Sequence, residues 1–147
     1  MMENLLLVGP ASANLRMDTP VSFQSLGGQP LVLPSARHSL RVILDTCARE
    51  VGIKLKTSVE ADSFGAMIDL VRHGFGLTAL PLASIHAQIE SGVLSAAPLV
   101  DPVPMRKLVQ VFPADRRVSP AAKWVGDTFI EIAADLVSRN IWAGHML

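Results

Sequence analysis

Five consecutive residues, Ser35-Ala36-Arg37-His38-Ser39, combine two hydroxyls, a guanidinium and an imidazole directly after a short apolar run and ahead of a helical pattern. The N-terminus of a helix offers unpaired N–H groups and the positive end of the helix dipole. A carboxylate, phosphate or sulfate fits such a place, with Ser35, Ser39 and Arg37 as further donors. The plainer alternative is that Ser35 caps the helix while Arg37 and His38 face water. Asp62-Ser63-Phe64 is a second candidate loop, capping a helix or lining a cleft. Thr78 is a third candidate, its alternative being an ordinary β-branched strand residue.

Catalytic and metal chemistry find less support. Ser35 and His38 lack an orienting acid within reach by sequence and have no recognised nucleophile setting. Asp45, Glu50 and Glu60 show no spacing that makes a catalytic pair. His38, His73, His86 and His145 form no metal-ligand pattern. Cys47, the single cysteine, rules out an internal disulfide and lies on an apolar helix stripe, as expected of a buried, inert thiol. No enzyme, no cofactor and no metal are expected.

Thirteen basic and thirteen acidic side chains cancel in 147 residues, without a run of like charge, so the chain lacks the footprint of a nucleic-acid-binding domain. If DNA is a partner, another segment contacts it. Half of the residues are apolar, ample for a core. The start, MMENLLLVGPAS, is too short in its apolar run for a secretion signal or a membrane span. A reducing, cytoplasmic location is expected.

The elements that must position these loops follow from periodicity. Asp62 to Pro81 reads as helix, glycine, strand: Met67, Leu70 and Val71 share a face, Gly74 ends the helix, and Gly76 to Leu80 is a strand closed by Pro81. Leu5 to Val8 is a strand buried on both faces. Residues 11 to 29 form a connection and lobe boundary. Leu31 to Leu33 is a strand, and Leu40, Ile43, Leu44, Cys47 and Val51 make one helical stripe ended by Gly52. Ile53 to Glu60 alternates strictly, as a half-exposed strand does. Ala83 to Ser91 is a short helix, Val93 to Val100 a strand, Asp101 to Pro104 a stiff connection, and Met105 to Phe112 another strand. The three strand-helix alternations between Leu31 and Gly92 call for parallel pairing. Leu33, Ile43, Leu44, Leu55, Val59, Met67, Leu70, Val71 and Leu80 are expected inside. Ser119-Pro120 opens a last helix whose apolar set, with Trp124, Phe129 and Ile132, is wider than one buried stripe needs. The tail from Asn140 shows no period.

In order and spacing, LLLVGP, LVLPSARHSLRVILD, GFGLTALP, LVQVF and SPAAKWVGDTF resemble the effector-binding domain of LysR-type transcriptional regulators, over about residues 4 to 135. The resemblance implies an α/β, periplasmic-binding-protein-like fold of type 2, with two lobes, two crossover strands and a ligand between the lobes. It implies that residues 25–105 form the second lobe, and that 1–24 and 106–147 are the crossover strands and closing part of the first. The family's winged helix-turn-helix and the opening of the first lobe would then lie outside this sequence. The Ser35 loop faces the cleft in such domains, giving Ser35, Ala36, Arg37, Ser39, Ser63, Phe64 and Thr78 as ligand-binding candidates. The family's regulatory domains pair in opposite directions, so a homodimer through Trp124, Phe129 and Ile132 is expected. The partners implied are a small anionic effector, a second copy and DNA through another segment, with no membrane. A solute-binding protein delivering an anion to a transporter is the alternative.

Overall fold

The computed structural model describes residues 1–147. Strand β1 (Met2–Pro10) is the axis of the molecule, because its apolar run faces two cores at once. Leu5 and Leu7 point into one core and Leu6 and Val8 into the other, the period of two expected of a strand covered on both faces. β1 pairs antiparallel with β5 (Thr78–Pro81) on one side and with β6 (Leu94–Val100) on the other. β6 in turn pairs parallel with the short β2 (Val21–Ser22). β3 (Pro30–Leu33) pairs parallel with β4 (Lys56–Glu60) and meets the start of β5 through a parallel bridge from Leu31 to Leu77. The alternating segment therefore does pair in parallel, and β1 is inserted against it in the opposite direction.

Helix α1 (Ser39–Glu50) covers one face, with Leu40, Leu44 and Cys47 buried against Phe23, Leu31 and Leu33. Helix α2 (Phe64–Arg72) covers the other, through Met67, Ile68 and Val71. The small helix α3 (His86–Glu90) follows a turn in which Ile85 is buried. Of the expected core, Leu33, Leu44, Met67, Val71 and Leu80 are buried; Ile43, Leu55, Val59 and Leu70 are half-buried at its margin. β4 keeps the alternation read from Ile53 to Glu60, although hydrogen-bonded pairing begins only at Lys56.

Two glycines are required by geometry. Gly74 sits at φ +79°, the left-handed turn that ends α2, with the Phe75 N–H bonded to the Leu70 carbonyl at 3.1 Å. Gly76 has φ +146°, and a Cβ there would lie 2.4 Å from the Pro30 carbonyl oxygen.

One expectation needs correction. The strand expected over Met105 to Phe112 is regular only as β7 (Met105–Lys107), which pairs with Met2–Asn4. Beyond Lys107 no strand lies alongside, so Val109 and Val111 stay exposed without ladder partners. Met2–Asn4 pairs with β7 and with β8 (Gly144–His145), whereas Leu5–Pro10 runs between β5 and β6, so β1 connects the two groups of elements.

Helix α4 (Pro120–Ser138) begins with the expected serine cap, Ser119 Oγ accepting from the Ala122 N–H at 3.2 Å, and proline at its first position. Ala133 is its one buried residue. Trp124, Phe129 and Ile132 are 68%, 60% and 54% exposed, so the broad apolar face lies open along most of the helix.

Candidate functional site

The loops after β3 and β4 meet at the carboxyl end of the sheet. The Ala61 N–H bonds the Leu33 carbonyl at 3.1 Å, and beyond it the Asp62 carboxylate accepts the Ser35 N–H at 2.8 Å. The two loops are thus tied across 27 residues of chain. The Ser35 N–H holds Asp62 below the usual carboxylate range, with the Ser35 hydroxyl and the nearby His38 adding to the effect.

Helix α1 opens at Ser39, so its cap lies three residues later than the Ser35 cap weighed from the sequence. Its cap is His38, whose Nδ1 accepts the Leu40 N–H at 3.2 Å, and not Ser35. The reason lies in the intervening turn: the His38 N–H bonds the Ser35 carbonyl at 2.9 Å, and Ser35 itself is bound to Asp62. Arg41 secures the turn from the helix side, with its guanidinium bonded to the Pro34 carbonyl at 3.3 Å and to Asp45 at 3.0 Å. Ser63 caps α2, its Oγ accepting the Ala66 N–H at 3.3 Å. The Phe64 ring packs on the His38 ring at 6.3 Å between centroids, tilted by 53°.

The structure therefore brings Ser35, Ser63 and Phe64 into one cluster with His38 and Asp62. Ala36, Arg37 and Ser39 lie exposed on its rim. The first-turn N–H groups of Ser39 and Arg41 have no partner within their helix, whereas the Ser35 N–H is held by Asp62. Thr78 takes no part in these contacts. It is 1% exposed inside the sheet opposite Val8, and its hydroxyl has no hydrogen-bond partner. Two positioning residues escaped the sequence reading. His38 stood two residues before the first buried helical leucine, a cap position for which Ser, Thr, Asn and Asp are the usual signals. Arg41 had no signal, since its target is a backbone carbonyl.

Cys47 is 7% exposed, and burial first, then the charge of Glu50, pushes its thiol above the ordinary cysteine value. No group of three or more His, Cys, Asp or Glu side chains gathers at a common point. No helix is long and apolar enough to cross a membrane.

The family model described as the LysR substrate binding domain matches residues 1–134. The chain belongs to that family. The HTH-type transcriptional regulator BbuR of Bordetella bronchiseptica is 25% identical over 145 residues, covering 99% of this chain and 45% of BbuR. This LysR domain thus spans under half the length of that relative. Among solved structures, HinK, a LysR family transcriptional regulator from Pseudomonas aeruginosa, superposes with a TM-score of 0.77 at 18% identity, over 92% of this chain and 47% of HinK. The regulatory domain of Synechocystis CcmR in complex with 2-PG superposes with a TM-score of 0.67 at 13% identity, over 90% of this chain and 64% of that one. At such identities the superpositions establish the fold, which is the periplasmic-binding-protein-like α/β fold of LysR effector-binding domains. The relatives are regulators, which favours a regulatory reading over delivery of a solute to a transporter.

Proposed function

We propose that this LysR domain is the sensing part of a transcriptional regulator, and that it binds a small anion at the Ser35–Ser39 and Ser63–Phe64 loops without converting it chemically. The observation that carries the reading is the convergence of two helix N-termini, those of α1 and α2, on one cluster at the carboxyl end of the sheet. Ser39 and Arg41 supply main-chain donors, Arg37 and Ser63 side-chain donors, and the Phe64 ring an apolar wall. Asp62 limits the site, because an anion must bind beside this fixed carboxylate or replace it at Ser35. Thr78 is not part of this reading, since its hydroxyl is enclosed in the sheet. The match of CcmR, solved with 2-PG, supports a small effector in this fold.

In this reading the division into lobes follows the crossover strands, with 25–105 as the second lobe and the α4 side as part of the first. DNA is contacted through a segment outside this sequence, the work is cytoplasmic, and two copies associate through the open face of α4. A thermal-shift titration over small carboxylates, phosphate and sulfate tests the binding site. At least one anion should raise the melting temperature, and Arg37→Ala combined with Ser63→Ala should weaken the binding of that anion by about tenfold or more. No stabilisation by any of these anions, or equal stabilisation of the double variant, would remove the site.

A further inference from the structure

The most completely buried charge in the protein is outside the loop cluster. Glu3 is 0% exposed, at the start of β1, where the strand leaves the main sheet and pairs with β7. A buried carboxylate is costly unless each oxygen is matched by a donor. Glu3 Oε2 accepts from Nε of Arg106 in β7, and Oε1 accepts from Nε1 of Trp142. The second donor comes from the residues after α4.

Those residues are fitted to the place. Asn140, at φ +56°, turns the chain back after α4, and the Ile141 and Trp142 N–H groups both bond the Leu136 carbonyl. The Ala143 carbonyl then accepts the Asn4 N–H at 3.0 Å, and Gly144–His145 pairs with Met2–Glu3 as β8. Gly144 permits this approach: a Cβ there would lie 2.3 Å from the Met2 carbonyl oxygen and 3.1 Å from the Glu3 Cα. A side chain at 144 is incompatible with the docked strand.

We propose that Asn140–His145 is an intramolecular strap. It closes the open edge of β1 at Met2–Asn4, completes the hydrogen bonding of Glu3, and locks the β1–β7 pair through which α4 is joined to the main sheet. Release leaves the Glu3 carboxylate one donor short and the Met2–Asn4 edge bare, a strand edge available for pairing. The strap is independent of the effector reading, and its test contains no ligand.

Amide exchange by NMR on the full chain reads the strap directly. The Asn4 amide, bonded to Ala143, should be protected in the unaltered protein, and Gly144→Val should speed its exchange by about tenfold or more while Leu7 and Val8 in the central strand keep theirs. The Trp142 indole N–H resonance should move to its solvent-exposed position. If Gly144→Val unfolds the chain, so that Leu7 and Val8 also lose protection, Trp142→Phe carries the test, because it removes one donor and adds no clash. It should accelerate Asn4 alone. Free exchange of Asn4 in the unaltered protein, or an unchanged Asn4 rate in Trp142→Phe, overturns the strap.

Discussion

Asp62 is the residue on which the candidate site turns. Its sequence position admitted helix capping or cleft lining, and the structure gives it another task, holding the Ser35 loop in place by one main-chain hydrogen bond. Its pKa is lowered in the folded protein, chiefly by the Ser35 N–H. A carboxyl group whose folded pKa lies below its unfolded value stabilises the fold fully above the unfolded pKa, and loses that contribution as the pH falls through the folded one. The link between the loops should therefore persist through neutral pH and dissolve in acid, below the ordinary carboxylate range. Because the group is open to solvent, the gain in stability is small and salt-sensitive. The Ser35 amide resonance, followed from neutral to acid pH, should titrate with a midpoint below that of an ordinary aspartate, and the titration should vanish in Asp62→Asn. A flat Ser35 resonance would show that the bond does not persist in solution.

Among the elements, the turn from α2 into β5 was the most legible, since its start, stop and strand signals lie within twenty residues. Ser63 caps, Gly74 terminates and Pro81 closes the strand, as the local pattern required. Gly76 has a stricter duty than a turn, because the Pro30 carbonyl leaves no room for a Cβ. Gly76→Ala should cost at least about 2 kcal/mol in urea unfolding, through the combined overlap and unfavourable φ. Gly74→Ala, with nothing within 4 Å of the added Cβ, should cost no more than about 1 kcal/mol. Equal, small losses for both would mean that β3 and β5 do not approach as closely as described. LVQVF, by contrast, has the composition and alternation of a strand, yet it forms one only where Met2–Asn4 lies alongside. Alternation sets which side chains share a face; a ladder also needs a neighbour within reach of its N–H and C=O groups.

For the whole molecule, α4 is the helix that leaves a broad apolar face exposed. The helix touches its own chain through Ala133 and through Gly126, which accommodates the Gln110 amide and the Phe112 ring, while Trp124, Val125 and Phe129 remain exposed. A face of this width is far more than scattered surface residues present, and in the proposed function it pairs two copies. Sedimentation velocity at micromolar concentration should show a dimer, and Phe129→Asp should give a monomer whose main-sheet amide protection is retained. A stable monomer in the unaltered protein would exclude pairing through α4.

Local pattern was enough to determine the alternation of strands and helices, the cap at Ser119, the start of α2 at Asp62 or Ser63, the buried stripe of α1 and the half-exposed character of β4. Each of these depends on residues within about one or two turns of chain, where sterics and solvent act directly on spacing. Together with motif order it also pointed to the LysR family. Tertiary structure decided which strands become neighbours and where buried polar groups find partners. β1 reads as a fully covered strand, but nothing in LLLV says that it runs antiparallel between β5 and β6. Glu3 sits beside Met2 and Asn4 like any exposed acid at a chain start, and is buried because Arg106 and Trp142, 103 and 139 residues away, supply its donors. Asp62 likewise acquires its role from Ser35, 27 residues before it. Spacing reports faces; hydrogen-bond partners are chosen by folding, because desolvation penalises every unmatched group and the match lies wherever the packed chain brings a donor.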